Sequence, residues 1–199
     1  MIFGTEITKD MVEADPVWPK GKKATDADLS DFTMKLHSKY EADAVKSVNG
    51  MKEEYGNGIS TLVTIYNATG RTVKYQKAHD WSGHMWKYSA DDEILNGQWS
   101  VFLHVHTSGA ARGSVAAVVY RVEDQDCDMF LGWDSPFTGD PSVYVEAREK
   151  DHWPGEGSWS HMEWLLEKAG STDSSNGAGH HITASTGDNS SPVARFLLA

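Results

Sequence analysis

Cysteine is nearly missing from this 199-residue chain, with Cys127 its single instance. One thiol excludes an internal disulfide framework and any zinc site built on cysteine. Leucine, isoleucine, valine and phenylalanine are also scarce, 37 residues in all, a share that alone marks disorder. Eight Trp, seven Tyr and seven Met supply the missing apolar volume, and a disordered chain does not carry aromatics at that density. Basic residues are outnumbered, 18 Lys and Arg against 29 Asp and Glu, for a net charge of −11. That balance argues against nucleic acid, whose binding needs clustered Lys and Arg to release counterions. It argues equally against an anionic membrane surface. No run approaches the length of a transmembrane helix, and the segment Met1–Pro16 has no apolar stretch behind a basic one, so no secretory leader is expected. These traits predict a soluble globular protein of a reducing, cytoplasmic compartment.

What is present divides the chain into four zones. Residues 1–24 hold Pro16, Pro19 and the Lys20–Lys23 cluster without periodicity and read as an extended arm. Residues 25–55 open on Thr25-Asp26-Ala27-Asp28, a helix-capping pattern with acids in the first turn. Leu29, Phe32, Leu36, Tyr40, Val45, Val48, Met51 and Tyr55 then recur at three- and four-residue spacing, which predicts a helical segment packed on the main domain. Residues 56–168 carry short β-type runs between Gly-rich turns: Ile59–Tyr66, Arg71–Lys77, Gln98–His106, Val115–Val122, Met129–Trp133 and Ser142–Arg148. Ser158–Lys168 fits a strand or a short helix. Residues 169–199 are rich in Gly, Ser, Thr and Asn and read as a long loop or flexible tail with a last strand near Phe196. The class expected is mainly β, an antiparallel β-sandwich with an N-terminal helical segment.

Within Gln98–His106 the alternation sets Trp99, Val101, Leu103 and Val105 on one face and Ser100, Phe102, His104 and His106 on the other. Assigning the first set to the inter-sheet core turns both imidazoles together to the opposite face. Two strand histidines at a period of two are able to chelate a metal, with His79, His84, Glu146 or His152 as further ligands, or to serve as hydrogen-bonded interior groups. No spacing forces a third ligand, so no metal and no cofactor are expected. The segment Asp80-Trp81-Ser82-Gly83-His84-Met85-Trp86 reads as a loop bearing two indoles and an imidazole, suited either to stacking on a ligand or to plugging the end of a sandwich. The composite site predicted is therefore a pocket lined by Trp81, His84, Trp86, His104 and His106, with Arg112, Tyr120, Trp133 and Glu146 contributed by neighbouring strands. Ser114, Ser135 and Ser158 lack a nucleophile-elbow context, and Asp126 and Asp128 flanking Cys127 disfavour a thiolate.

Several motifs are shared with one known family. Tyr55-Gly56-Asn57-Gly58, Tyr66-Asn67-Ala68-Thr69-Gly70 and Asp80-Trp81-Ser82-Gly83-His84 resemble the 23 kDa jasmonate-induced proteins of plants. The longest shared run is Asn96–His106, continuing through Ser108-Gly109-Ala110-Ala111 to Val118-Val119-Tyr120-Arg121. Val143–Glu149, Gly157-Ser158-Trp159 and the opening Phe3-Gly4-Thr5 add to it. The resemblance covers residues 1–165 and implies a stress-induced, soluble intracellular protein without supplying a reaction. The order of strands also resembles aegerolysin-like and actinoporin-like sandwiches, whose members bind lipids, as an analogy of fold. The function expected is binding of a small hydrophobic or lipid-like ligand, or of a partner protein, without catalysis. The rival expectation is an enzyme in which His104 and His106 act as general acid and base or as metal ligands on a hydrophobic substrate.

Overall fold

The computed structural model describes residues 1–110, 112–153 and 156–199. Two sheets face each other. The first contains β1 (Ile2–Phe3), β2 (Ser60–Asn67), β4 (His84–Trp86), β6 (Trp99–Val105), β10 (Thr172–Gly177), β11 (His180–Thr186) and β12 (Val193–Leu198), in the order β1-β6-β2-β12-β11-β10, with β4 also paired to β6. The second is β5 (Glu93–Ile94), β3 (Val73–Ser82), β7 (Ser114–Val122), β8 (Asp128–Ser135) and β9 (Ser142–Arg148), in the order β5-β3-β7-β8-β9. Among the described residues every pairing is antiparallel except that of β12 with β2, which is parallel, so the first sheet is mixed rather than purely antiparallel. Helices α1 (Lys9–Glu13), α2 (Asp26–Lys35) and α3 (Glu41–Tyr55) precede the strands, and α4 (Glu156–Lys168) lies between β9 and β10. Among the described residues no helix is long and apolar enough to cross a membrane.

Four layers result, because each sheet is apolar on both faces. The inter-sheet core contains Val63, Ile65, Phe102, Val118, Tyr120, Leu131, Trp133 and Phe196. On the outer face of the first sheet, Trp99, Val101, Leu103 and Val105 pack with Ala44, Val48 and Met51 of α3. The outer face of the second sheet, Ala117, Val119 and Phe130, is covered by Trp153 and by Trp159 and Met162 of α4. This corrects the sequence assignment of the two faces of β6. The two faces alternate as the period of two requires, but the more apolar one lies under a helix, and the face bearing Phe102 and His104 meets the other sheet. Alternation orders two faces without saying which cover each will receive.

Helix α2 starts on a capping box, Thr25 Oγ1 accepting from the Asp28 N–H at 3.1 Å and Asp28 Oδ2 accepting from the Thr25 N–H at 3.0 Å. The polar segment after residue 169, expected as a loop, instead forms the hairpin β10–β11. Its ordering follows from the free edge of β9. The N–H groups of Val143, Val145 and Ala147 donate to Gly170 O at 3.0 Å, Asp173 Oδ2 at 2.9 Å and Ser175 Oγ at 3.1 Å. Short polar side chains thereby satisfy strand amides that no further strand pairs. Gly177 comes so close to the Ala147 carbonyl that a Cβ would overlap it. Composition alone does not distinguish such a segment from a flexible one.

Candidate functional site

The residues predicted for the composite pocket do not converge as a set; His104 instead meets a different group of polar side chains inside the protein. His104 stands opposite Thr61 of β2 and Met85 of β4. Its Nδ1 is 2.8 Å from Ser114 Oγ and its Nε2 is 3.2 Å from Asp80 Oδ1. Thr61 Oγ1 lies 2.8 Å from both Ser114 Oγ and Ser135 Oγ. The chain of contacts ties five strands, β2, β3, β6, β7 and β8, across both sheets. The Trp133 indole closes it with an edge contact at 5.4 Å between ring centroids. Gly83, at φ 103°, hugs the imidazole: a Cβ there would fall 2.6 Å from His104 Cε1, so only glycine fits without moving the ring.

His104, Ser114 and Thr61 are fully buried, whereas the Asp80 side chain is 40% exposed. Burial holds the imidazole below its ordinary pKa, with the Asp80 hydrogen bond opposing. The sequence of atoms, carboxylate to imidazole to hydroxyl, is that of an acyl-transfer triad. Its hydroxyl, however, is sealed in the core and shared with Thr61. What this arrangement does chemically is satisfy buried polar groups and cross-link the sheets.

His106 belongs elsewhere. β6 ends at Val105, and His106 Nδ1 lies 3.1 Å from Ile59 O and 3.3 Å from Tyr55 Oη, with Phe137 edge-on at 5.5 Å. The other residues predicted for the composite pocket are spread over separate places. Residues 80–86 lie mostly in β3 and β4 rather than in a loop. Trp81 packs edge-on against His79 and Trp159 under α4, at centroid distances of 5.0 and 6.1 Å. Trp86 contacts Tyr55 at 5.9 Å on the helix side, and His84 is exposed. Tyr120 and Trp133 fill the inter-sheet core, Tyr120 Oη donating to Asp91 O at 2.8 Å. Arg112 is paired with Glu163 and, at 3.4 Å, with Glu167 of α4. Glu146 pairs with Arg148 on the outward side of β9. These nine residues do not line one cavity, because strands buried on both faces send neighbouring side chains to opposite layers.

Sequence reading did not find Asp80, Ser114, Thr61 and Ser135 as partners of His104, since they come from four strands and no spacing links them. It also missed Asp134, next to the network on β8. Burial, with Glu167 and Glu163 adding to it against Arg112, pushes this carboxyl up to about 6. Its Oδ1 is buried without a hydrogen-bond partner among the described residues. A raised folded-state pKa favours the protonated form, so the contribution of Asp134 to stability is present below its ordinary value of 3.8 and lost as pH rises through about 6. Asp134→Asn is therefore expected to gain about 1–3 kcal/mol at pH 7.5, given that one pKa unit is worth about 1.4 kcal/mol. The gain should vanish by about pH 4, as read by urea denaturation across pH; an equal gain at both ends would assign the effect to packing.

Open clefts lie around the N-terminal helices. One, of about 420 Å³, is bordered by Ile7, Lys9, Asp26, Arg71 and Asn96. Its cations are committed: Arg71 donates twice to Asp26 Oδ2, at 3.0 and 2.6 Å, and Lys9 pairs with the other oxygen at 2.5 Å. Another, of about 290 Å³, is bordered by Glu13, Trp18, Lys20, Lys22 and Lys23. Among the described residues no group of three or more His, Cys, Asp or Glu is placed to hold a metal ion.

Fold and polar network together define a mixed-sheet β-sandwich covered by helices on both outer faces and pinned by a buried histidine. The chain belongs to the Nakanori-like protein family, whose pattern it matches over residues 3–199. The 23 kDa jasmonate-induced protein of Hordeum vulgare is 41% identical over 167 residues, 81% of this chain and 79% of that protein. The crystal structure of the lipid binding protein Nakanori superposes over 100% of both chains with a TM-score of 0.94 and 31% identity. The RahU protein in complex with a TRIS molecule overlaps at a TM-score of only 0.39, with 9% identity, over 71% of this chain and 94% of that one.

Proposed function

We propose that this protein binds lipid without catalysing a reaction on it. The observation that carries the reading is the match along the whole chain, at 31% identity and a TM-score of 0.94, to a structure described as a lipid binding protein. The site chemistry supports it: His104, the centre of the acid–base chain, is buried with both ring nitrogens engaged, which is the disposition of a structural group. Kinship with a jasmonate-induced protein supports the further reading that this binding serves a jasmonate-linked stress response. Kinship with aegerolysin-like and actinoporin-like sandwiches is proposed at the level of architecture only.

The test is flotation of purified protein with vesicles of phosphatidylcholine, of phosphatidylcholine with phosphatidylserine, and of phosphatidylcholine with sphingolipid and sterol. Co-migration with at least one composition is expected. Protein that stays behind with all three would sink the reading.

A further inference from the structure

We propose that the Asp15–Lys23 loop is the element with which the protein enters a phospholipid bilayer. Val17 and Trp18 would sit among the headgroups, with Lys20, Lys22 and Lys23 against lipid phosphates. The inference rests on the lipid-binding reading above and adds the surface that makes the contact.

Exposure singles the loop out. Val17 is 90% exposed, while the other exposed large hydrophobics, Ile2, Met11, Tyr88, Phe137 and Trp164, range from 37% to 53%. A branched apolar side chain held almost wholly in water contributes nothing to the core, and a lipid interface is where it gains from leaving water. Trp18 beside it is partly buried and has an amphipathic ring of the kind that settles at the headgroup level.

The loop is built to hold that tip outward. Pro16 and Pro19 restrict the backbone on either side. Asp15 Oδ1 accepts from the Val17 N–H at 2.9 Å, Asp15 O from the Trp18 N–H at 2.9 Å, and Pro19 O from the Lys22 N–H at 3.1 Å. Trp18 Nε1 donates to Lys22 O at 2.9 Å, and the Lys22 ammonium lies 4.5 Å from the indole centroid. Trp18 also packs on the small core of Ile7, Val12, Ala24 and Leu29, which roots the loop in α1 and α2. A tip ordered before contact loses little conformational freedom on binding.

Charge points the same way. Lys20, Lys22 and Lys23 fall within four residues of a chain whose net charge is −11. Lys23 pairs with Glu13 and Lys22 with Asp28, each at 2.9 Å, while Lys20 has no ion pair among the described residues. Backbone and lysine hydrogen bonds hold the Asp28 carboxyl down at about 2. Lys20 is thus left to meet a phosphate directly, and the surface pairs of Lys22 and Lys23 are weak enough for lipid phosphates to replace the carboxylates.

The experiment uses the full chain with Val17→Cys carrying a polarity-sensitive NBD label. Cys127 is fully buried and its thiol is pushed up to about 12, so the label goes to the introduced thiol. Ser190→Cys is the control, exposed beside Ser60, whereas α2 abuts Gly70 beyond the other end of β2. With vesicles of the composition that binds in flotation, the label at 17 should shift to the blue and brighten severalfold, and the label at 190 should not. Val17→Asp should weaken vesicle binding about tenfold or more with an unchanged melting temperature, since the side chain has almost no packing to lose. Flotation of the wild type with an unshifted label at 17 and undiminished binding by Val17→Asp would overturn the loop assignment and leave lipid binding standing. Failure of the wild type to bind any vesicle would overturn both.

Discussion

Phe102→Ala is expected to lower the unfolding free energy by about 3–5 kcal/mol, the range for deleting a buried aromatic ring from a core that collapses only partly. Phe102 is fully buried between the sheets, and its ring lies 5.8 Å from that of Trp133. Its neighbours, Val63, Ile65 and Phe196, stand on strands held by backbone ladders, so they cannot close on the space it leaves. Urea denaturation checks this through a lower midpoint at unchanged slope. A loss below about 1 kcal/mol would mean that the Phe102 face is not the inter-sheet face. Leu103→Ala should cost about 2–5 kcal/mol as well, because α3 buries the other side of the same strand. The near-equality of the two is the signature of a strand covered on both faces.

His104→Ala is expected to cost about 2–4 kcal/mol, combining the cavity with the buried Ser114 hydroxyl deprived of its imidazole partner. The same variant should bind vesicles as the wild type does when assayed well below its melting temperature. Loss of lipid binding at undiminished stability would instead place His104 in contact with the ligand. The pH dependence carries a second signature. Burial depresses the His104 pKa from 6.5 against the pull of Asp80, with His84 adding to the depression. The folded state therefore favours the neutral ring, and its stabilising share is present above about pH 6.5 and lost as pH falls below it, where the unfolded chain takes up the proton. Wild type should lose stability between pH 7 and 5 more steeply than His104→Ala. His180, also depressed by burial, keeps its own share in both.

Much of this protein was legible in its residues. The capping pattern at Thr25–Asp28, the strand character within Ile59–Tyr66, Val115–Val122 and Met129–Trp133, and the two faces of Gln98–His106 are local properties, fixed by hydrogen-bonding chemistry and side-chain period within a few residues. Family kinship was also legible: the resemblance carried by runs such as Asn96–His106 agrees with the 41% identity to the 23 kDa jasmonate-induced protein of Hordeum vulgare.

The sequence alone did not determine which neighbour each face meets. Helix α3 covers the Trp99 face and the second sheet covers the Phe102 face; the choice depends on how the chain returns, which strand periodicity does not encode. Nor did it show the partners of His104, because Asp80, Ser114, Thr61 and Ser135 are brought together only by pairing across four other strands. The polar tail looked unstructured because its side chains serve an edge, that of β9, which exists only once the second sheet has formed. The Asp15–Lys23 loop read as an arm until the fold showed Val17 almost wholly in water on a rooted turn. Local order followed from the sequence by itself, and burial, cover and exposure followed from tertiary structure, since burial is a relation between segments far apart in the chain.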